Sequence, residues 1–189
     1  MKKYADDYET VFTTDENGHE KITTLYRGDY FEINLDKEDS IHYRRSSFVL
    51  LATIIILHIS GGFVGNQGMY QFNIALPYVI AFFPLLYLAA GVLRLPKEKR
   101  KYRRNEIRFS FDRVKTSSII LFIFLGIGVL GEIVFIFFGS AGDQNMLEFL
   151  YLVLEALTTA AVIFFIKMQR QIHILTAAKN NHLEISAPS

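Results

Sequence analysis

Three ionisable residues, His58, Glu132 and Glu155, stand inside long apolar stretches of the chain. In hydrocarbon such a side chain costs at least ~2.5 kcal/mol at mid-depth on insertion scales, so it is retained with a partner or a task. A histidine near two carboxylates can hold and pass on a proton, because imidazole changes charge near neutral pH. Two uses of the set are open. One is a proton or cation path, and the other is a buried polar cluster that fixes helix register or joins protomers.

Helical spacing places these residues on faces that read as interior. His58, Gly61, Gly62 and Gly65 share one stripe, Gly128 and Glu132 a second, and Glu148, Tyr151, Glu155 and Thr159 a third. Counted from the ends of the apolar stretches, Glu155 falls near the bilayer midplane. His58 and Glu132 fall up to about one helical turn nearer the outside, so the three can meet. Glu148 is assigned to the outer interface, and Pro84 to a kink that frees a backbone carbonyl toward the same interior.

Other reactive constellations are missing. Gly126 to Gly131 matches the dinucleotide-binding glycine pattern letter for letter. That pattern works only at a strand-to-helix turn facing a pyrophosphate, whereas here it lies within an apolar stretch, where glycines let helices approach closely. There is no P-loop, no zinc-type His-Glu pair and no nucleophile elbow. The chain has no cysteine, which excludes disulfides, thiolate metal sites and a cysteine nucleophile. No catalytic residue, metal or cofactor is assigned, and an enzyme ranks behind non-catalytic readings.

The elements that must position the three residues are four apolar stretches, Ser47 to Val64, Ile74 to Leu93, Ser118 to Phe138 and Met146 to Ile166. Each approaches the ~20 residues needed to cross ~30 Å of hydrocarbon. Composition agrees, with 51% hydrophobic residues and 17 Phe. The expected fold class is an all-α membrane protein, with four transmembrane helices in two duplicated helical hairpins and a small cytoplasmic antiparallel β-sheet. Met1-Lys2-Lys3 runs straight into Asp6, Asp7 and Glu9, so the first span is expected to serve as the targeting signal. Neither end carries a lipidation box.

Orientation follows from charge, because Lys and Arg in short loops resist translocation. Of the 20 Lys and Arg, seven precede Ser47, ten lie between Arg94 and Lys115, and three follow Ile166. Both chain ends and the central loop are therefore expected in the cytoplasm, in a bacterial cytoplasmic membrane. Residues 1–45 carry eleven acids against seven bases, and residues 94–118 three acids against ten bases. Lys97, Lys99, Arg100, Lys101, Arg103 and Arg104 form the basic run that would meet anionic lipid headgroups or a protein partner.

Self-similarity divides the chain in two. Tyr26 to Asp36 lines up with Tyr102 to Asp112, and Gly65 to Phe72 with Gly142 to Phe149, at shifts of 76 and 77 positions. The unit is one cytoplasmic strand followed by a helical hairpin, and two such units in the same orientation imply a pseudo-two-fold axis along the membrane normal. The ionisable residues are not repeated between the copies. Alternating apolar residues predict strands at Phe31 to Leu35 and Ile107 to Phe111. Tyr8 to Thr14 and Lys21 to Tyr26 flank an Asn17-Gly18 hairpin turn, and one sheet is expected to join all of these strands.

The domain reading is a β-meander over 1–45, a hairpin over 46–95, a basic loop with one strand over 96–117, a second hairpin over 118–167 and a tail over 168–189. The leading functional expectation is an interaction module or accessory, regulatory subunit of a membrane complex, with a protein partner or a second copy of itself. The alternative is a small proton- or cation-coupled transporter or channel using the intramembrane His and Glu residues. No nucleic-acid partner is expected.

Overall fold

A helix that is apolar on nearly every side must bury more than one stripe or lie in an apolar solvent. The computed structural model describes residues 7–14, 20–96, 101–139 and 145–176. In chain order these form β1 (Tyr8–Thr14), β2 (Glu20–Tyr26), β3 (Tyr30–Ile33), α1 (Lys37–Gly62), α2 (Phe72–Leu93), β4 (Tyr102–Arg103), α3 (Arg104–Ile107), a π-helical turn (Arg108–Asp112), α4 (Arg113–Phe138), α5 (Asn145–Arg170) and β5 (Ile174–Thr176). The chain is mostly helical. Four helical segments are long and apolar enough to cross a membrane, the third running unbroken from Arg104 to Phe138.

Helix α1 starts at Lys37, well upstream of the apolar stretch that opens at Ser47. A single buried stripe of Ser40, Tyr43, Ser47, Leu51, Ile54, His58 and Gly61 explains the extension, since it keeps helical spacing across the charged first turns. Glu38 and Asp39 sit in the first turn, where the helix dipole favours negative charge. Helix α2 continues through both Pro77 and Pro84, and both prolines are buried.

The strand expected at Ile107 to Phe111 is corrected. That segment is helical, made of the end of α3 and the π-helical turn, and the strand of this region is the short β4 upstream. The alternation of Ile107, Phe109 and Phe111 was part of a longer helical stripe. Ile107 and Phe111 are buried one turn apart, Phe109 is exposed, and the stripe continues through Val114, Ser118, Leu121 and Leu125. The carboxylate of Glu106 accepts the Arg103 N–H at 3.0 Å and so caps the helix start.

The single sheet is corrected as well. β1 and β2 pair antiparallel from Tyr8↔Tyr26 to Thr14↔Glu20 as a separate hairpin. β3 lies instead between β4 and β5, with Phe31 opposite both Tyr102 and Thr176, and Ile33 opposite Ile174. The three paired strands adjoin the helix ends that they precede or follow, and Ile33 and Tyr102 belong to the same apolar core as Leu95 and Ile107. The Asn17-Gly18 turn lies outside the described residues.

The four long helices form a ring in which α1 packs on α2 and α5, and α4 packs on the same two. Close approach is possible where a side chain is missing: a Cβ at Gly131 would lie 3.3 Å from the Asn73 carbonyl oxygen, and one at Gly91 only 2.7 Å from Val114. Gly126 and Gly128, by contrast, face no neighbouring atom within 4 Å. At the strand end, apolar layers fill the ring, with Leu51, Ile54, Leu85, Leu88, Leu121 and Val162 among them.

Candidate functional site

The opposite half of the bundle is where the polar groups converge. Oε1 of Glu155 on α5 lies 3.1 Å from Nδ1 of His58 on α1, and both side chains are buried. The His58 ring packs against Tyr78 and Phe82 of α2, at centroid distances of 4.4 and 4.7 Å. The Tyr78 hydroxyl donates to the His58 carbonyl at 2.9 Å, so α2 grips the histidine through its backbone. Gly61 makes the α1–α5 contact possible, because a Cβ there would stand 3.1 Å from Glu155 Oε1.

Glu132 does not join that pair directly. It meets Glu148 at the loop between α1 and α2, and the meeting point is Gly68. A Cβ at Gly68 would collide with Glu132 Oε2 and would lie 3.0 Å from Glu148 Oε2. Glu148 stands in the first turn of α5 with its side chain fully buried, and Asn66 Nδ2 donates to it at 2.8 Å and the Gln67 N–H at 2.6 Å. The Gly68 N–H adds a third donor at 3.2 Å. Two backbone N–H groups and one amide thus converge on a single carboxyl group, which anchors the α1–α2 loop to the start of α5.

Tyr151 of α5 stands between the two carboxylate groups in sequence, one helical turn from both Glu148 and Glu155, and its ring centroid is 6.3 Å from that of Tyr78. The Glu132 carboxyl is within hydrogen-bonding reach of Glu148 and Asn66, while His58 Nε2, the Tyr151 hydroxyl and Asn66 Oδ1 are buried without a hydrogen-bond partner among the described residues. Among the described residues no group of three or more His, Asp or Glu side chains converges in a way that could hold a metal ion.

Of the three residues expected to meet, the structure pairs His58 with Glu155 and sets Glu132 beside Glu148 instead, and the sequence reading did not include Glu148, Asn66, Gly68 or Tyr78 in the cluster. The signal for Glu148 was present, because it shares the stripe of Tyr151 and Glu155. Nothing in the local sequence marked the loop as its partner.

Of the basic run, Lys97, Lys99 and Arg100 lie outside the described residues, and Lys101, Arg103 and Arg104 are exposed at the strand end. Arg103 lies over the Tyr26 ring at 5.3 Å, and the Arg104 N–H donates to the Tyr26 hydroxyl at 3.2 Å. That hydroxyl donates in turn to the Asp29 carbonyl at 3.0 Å, which ties the β1–β2 hairpin to the start of α3.

No protein-family profile, no curated protein and no solved structure matches the chain.

Proposed function

We propose that the chain is a four-span integral membrane protein with its strand end in the cytoplasm, acting as an interaction module or accessory subunit rather than as a conduit. The membrane placement is supported by an inverted distribution of polarity. Ile56, Phe83, Leu130 and Phe164 are each at least 60% exposed, while His58, Glu132, Glu148 and Glu155 are buried. A chain folded in water does the reverse. Hydroxyls follow the same logic, because the exposed Thr53 donates to the Val49 carbonyl at 3.0 Å and Ser60 to the Ile56 carbonyl at 2.7 Å, leaving no donor for hydrocarbon to satisfy. The strand end as the inside follows from the Lys and Arg distribution. The ring of four packings also fits two helical hairpins in matching positions, α1 with α4 and α2 with α5, although the segments before them differ, Tyr30–Ile33 being a strand and the aligned Glu106 to Phe109 helical.

The observation that carries the functional reading is that the polar cluster occupies one half of the bundle only. Among the described residues, apolar layers from Leu51 and Leu85 to Leu121 and Val162 fill most of the other half, where the buried polar residues are serines such as Ser47, Ser117 and Ser118, and no buried His, Asp or Glu continues the cluster toward the strand end. A structural cluster needs only to be satisfied and to fix how helices meet; a conduit needs continuity. The transporter reading retains one point in its favour, the contact of the buried Glu132 and Glu148 carboxyl groups beside the His58–Glu155 pair, and it requires the apolar layers to part.

Purified protein in liposomes tests the choice. The module reading expects no proton or cation flux above that of empty liposomes, under either sign of pH gradient or potential. A wild-type flux that disappears in a folded Glu155→Gln variant would replace it with the transporter reading.

A further inference from the structure

Between α2 and α4, on the outside of the ring, lies an open groove of about 630 Å³. Its length is apolar, with Ile80, Phe83 and Pro84 on one wall and Ile120 and Phe124 on the other. Its strand end is charged and aromatic, formed by Arg108, Asp112 and Arg113 with Tyr87 and Phe109. The π-helical turn builds that end, since it supplies Arg108, Phe109 and Asp112 immediately before Arg113. Single π turns of this sort recur at binding sites because they turn side chains out of the regular helical register.

Arg113 is held there by rings. Its guanidinium carbon lies 5.1 Å from the Tyr87 centroid and 5.2 Å from that of Phe109, and among the described residues it makes no ion pair. Arg94 lies 5.4 Å from the same Phe109 ring without lining the groove, whose end sets Arg108 and Arg113 against the one carboxylate of Asp112 and is positive. A guanidinium positioned on aromatic faces keeps its N–H edge for a phosphate, which it can grip through two parallel hydrogen bonds.

Depth selects the ligand. At ~1.5 Å per residue, Arg113 to Phe124 spans roughly 16 Å, about half of a ~30 Å hydrocarbon layer. A transmembrane helix of a partner would ask for an apolar contact across both leaflets and has no use for arginines at one end. We propose that this groove binds one anionic phospholipid of the strand-side leaflet, with the phosphate on Arg113 and an acyl chain along Ile80, Phe83, Ile120 and Phe124. The site rests on the membrane placement given above and differs from the basic run of the central loop, because it has an acyl channel as well as charge.

Native mass spectrometry of the detergent-solubilised protein, titrated with phosphatidylglycerol or phosphatidylcholine, tests it. Both headgroups offer the phosphate, but only phosphatidylcholine adds a quaternary ammonium that the basic groove end repels, so wild type should bind phosphatidylglycerol about tenfold more tightly. Arg113→Gln should reduce that preference to near parity, with Arg108→Gln as a second arm should the first loosen the Tyr87–Phe109 packing. Ile120→Trp should weaken both lipids, Lys167→Gln should change neither, and inorganic phosphate alone should not compete. Equal binding of the two lipids, an unchanged preference in both arginine variants, or full competition by phosphate overturns the lipid site. If the chain instead stays in aqueous solution without detergent, it is the membrane placement that has failed.

Discussion

Nδ1 of His58 on α1 and Oε1 of Glu155 on α5 lie 3.1 Å apart, with neither side chain open to solvent. The pair joins the first and last long helices of the chain, and so closes the ring that the two hairpins leave open. Removing one partner leaves the other buried and unpaired, which costs more than removing both.

His58→Leu and Glu155→Leu should each destabilise the protein by about 3 kcal/mol in detergent, and the double variant should cost distinctly less than their sum. Thermal or denaturant melts of the four proteins measure the coupling. Additive losses would mean that the contact does not hold the helices together.

Two glycines give opposite expectations. Gly68→Ala places a methyl group against Glu132 and Glu148 and should cost ~1–3 kcal/mol, as overpacking does. Gly128→Ala meets no atom within 4 Å and should be neutral or stabilising by up to ~1 kcal/mol, because alanine favours helix. Melting the two variants side by side decides it, and equal losses would place the polar convergence elsewhere.

At the strand end, burial pushes the Tyr26 hydroxyl above its ordinary value of 10.0, with the Arg104 N–H pulling the other way. The folded chain therefore holds this proton more tightly than the unfolded one. The contribution is complete below the unfolded value near ~10 and is lost as pH rises through the higher folded value. Tyr26→Phe removes the bonds to Asp29 and Arg104, should cost ~1 kcal/mol at neutral pH, and should blunt the loss of stability as pH rises above ~10. An alkaline loss unchanged in Tyr26→Phe would assign it to another group.

The long helices were legible because apolar runs of bilayer length have few other uses. Their ends were not. Lys37 to Arg45 is charged enough to hide a helix from any count of apolar residues, although Ser40, Tyr43 and Ser47 carry the buried stripe through it. At Ile107 to Phe111 the apolar positions satisfied a strand period over five residues, and the helical continuation to Leu125 decided the matter. The β3–β5 pairing joins residues far apart in sequence through three-residue ladders, too short to leave a pattern. Glu148 could be placed on the interior stripe, but its partners Asn66 and Gly68 lie in a loop whose path depends on how the helices assemble.

Membrane placement underlies every other claim, and a chain without cysteine allows a direct test of it. Gly68 is buried against carboxylates and unsuitable for labelling, whereas Tyr70, 87% exposed in the α1–α2 loop, is suitable. Cysteines placed singly at Tyr70 and at Lys101 are treated in intact cells with a membrane-impermeant thiol reagent. The account predicts that the cysteine at position 70 reacts at once, and that the one at 101 reacts only after the membrane is opened. Labelling of both in intact cells, or of position 101 alone, would contradict it.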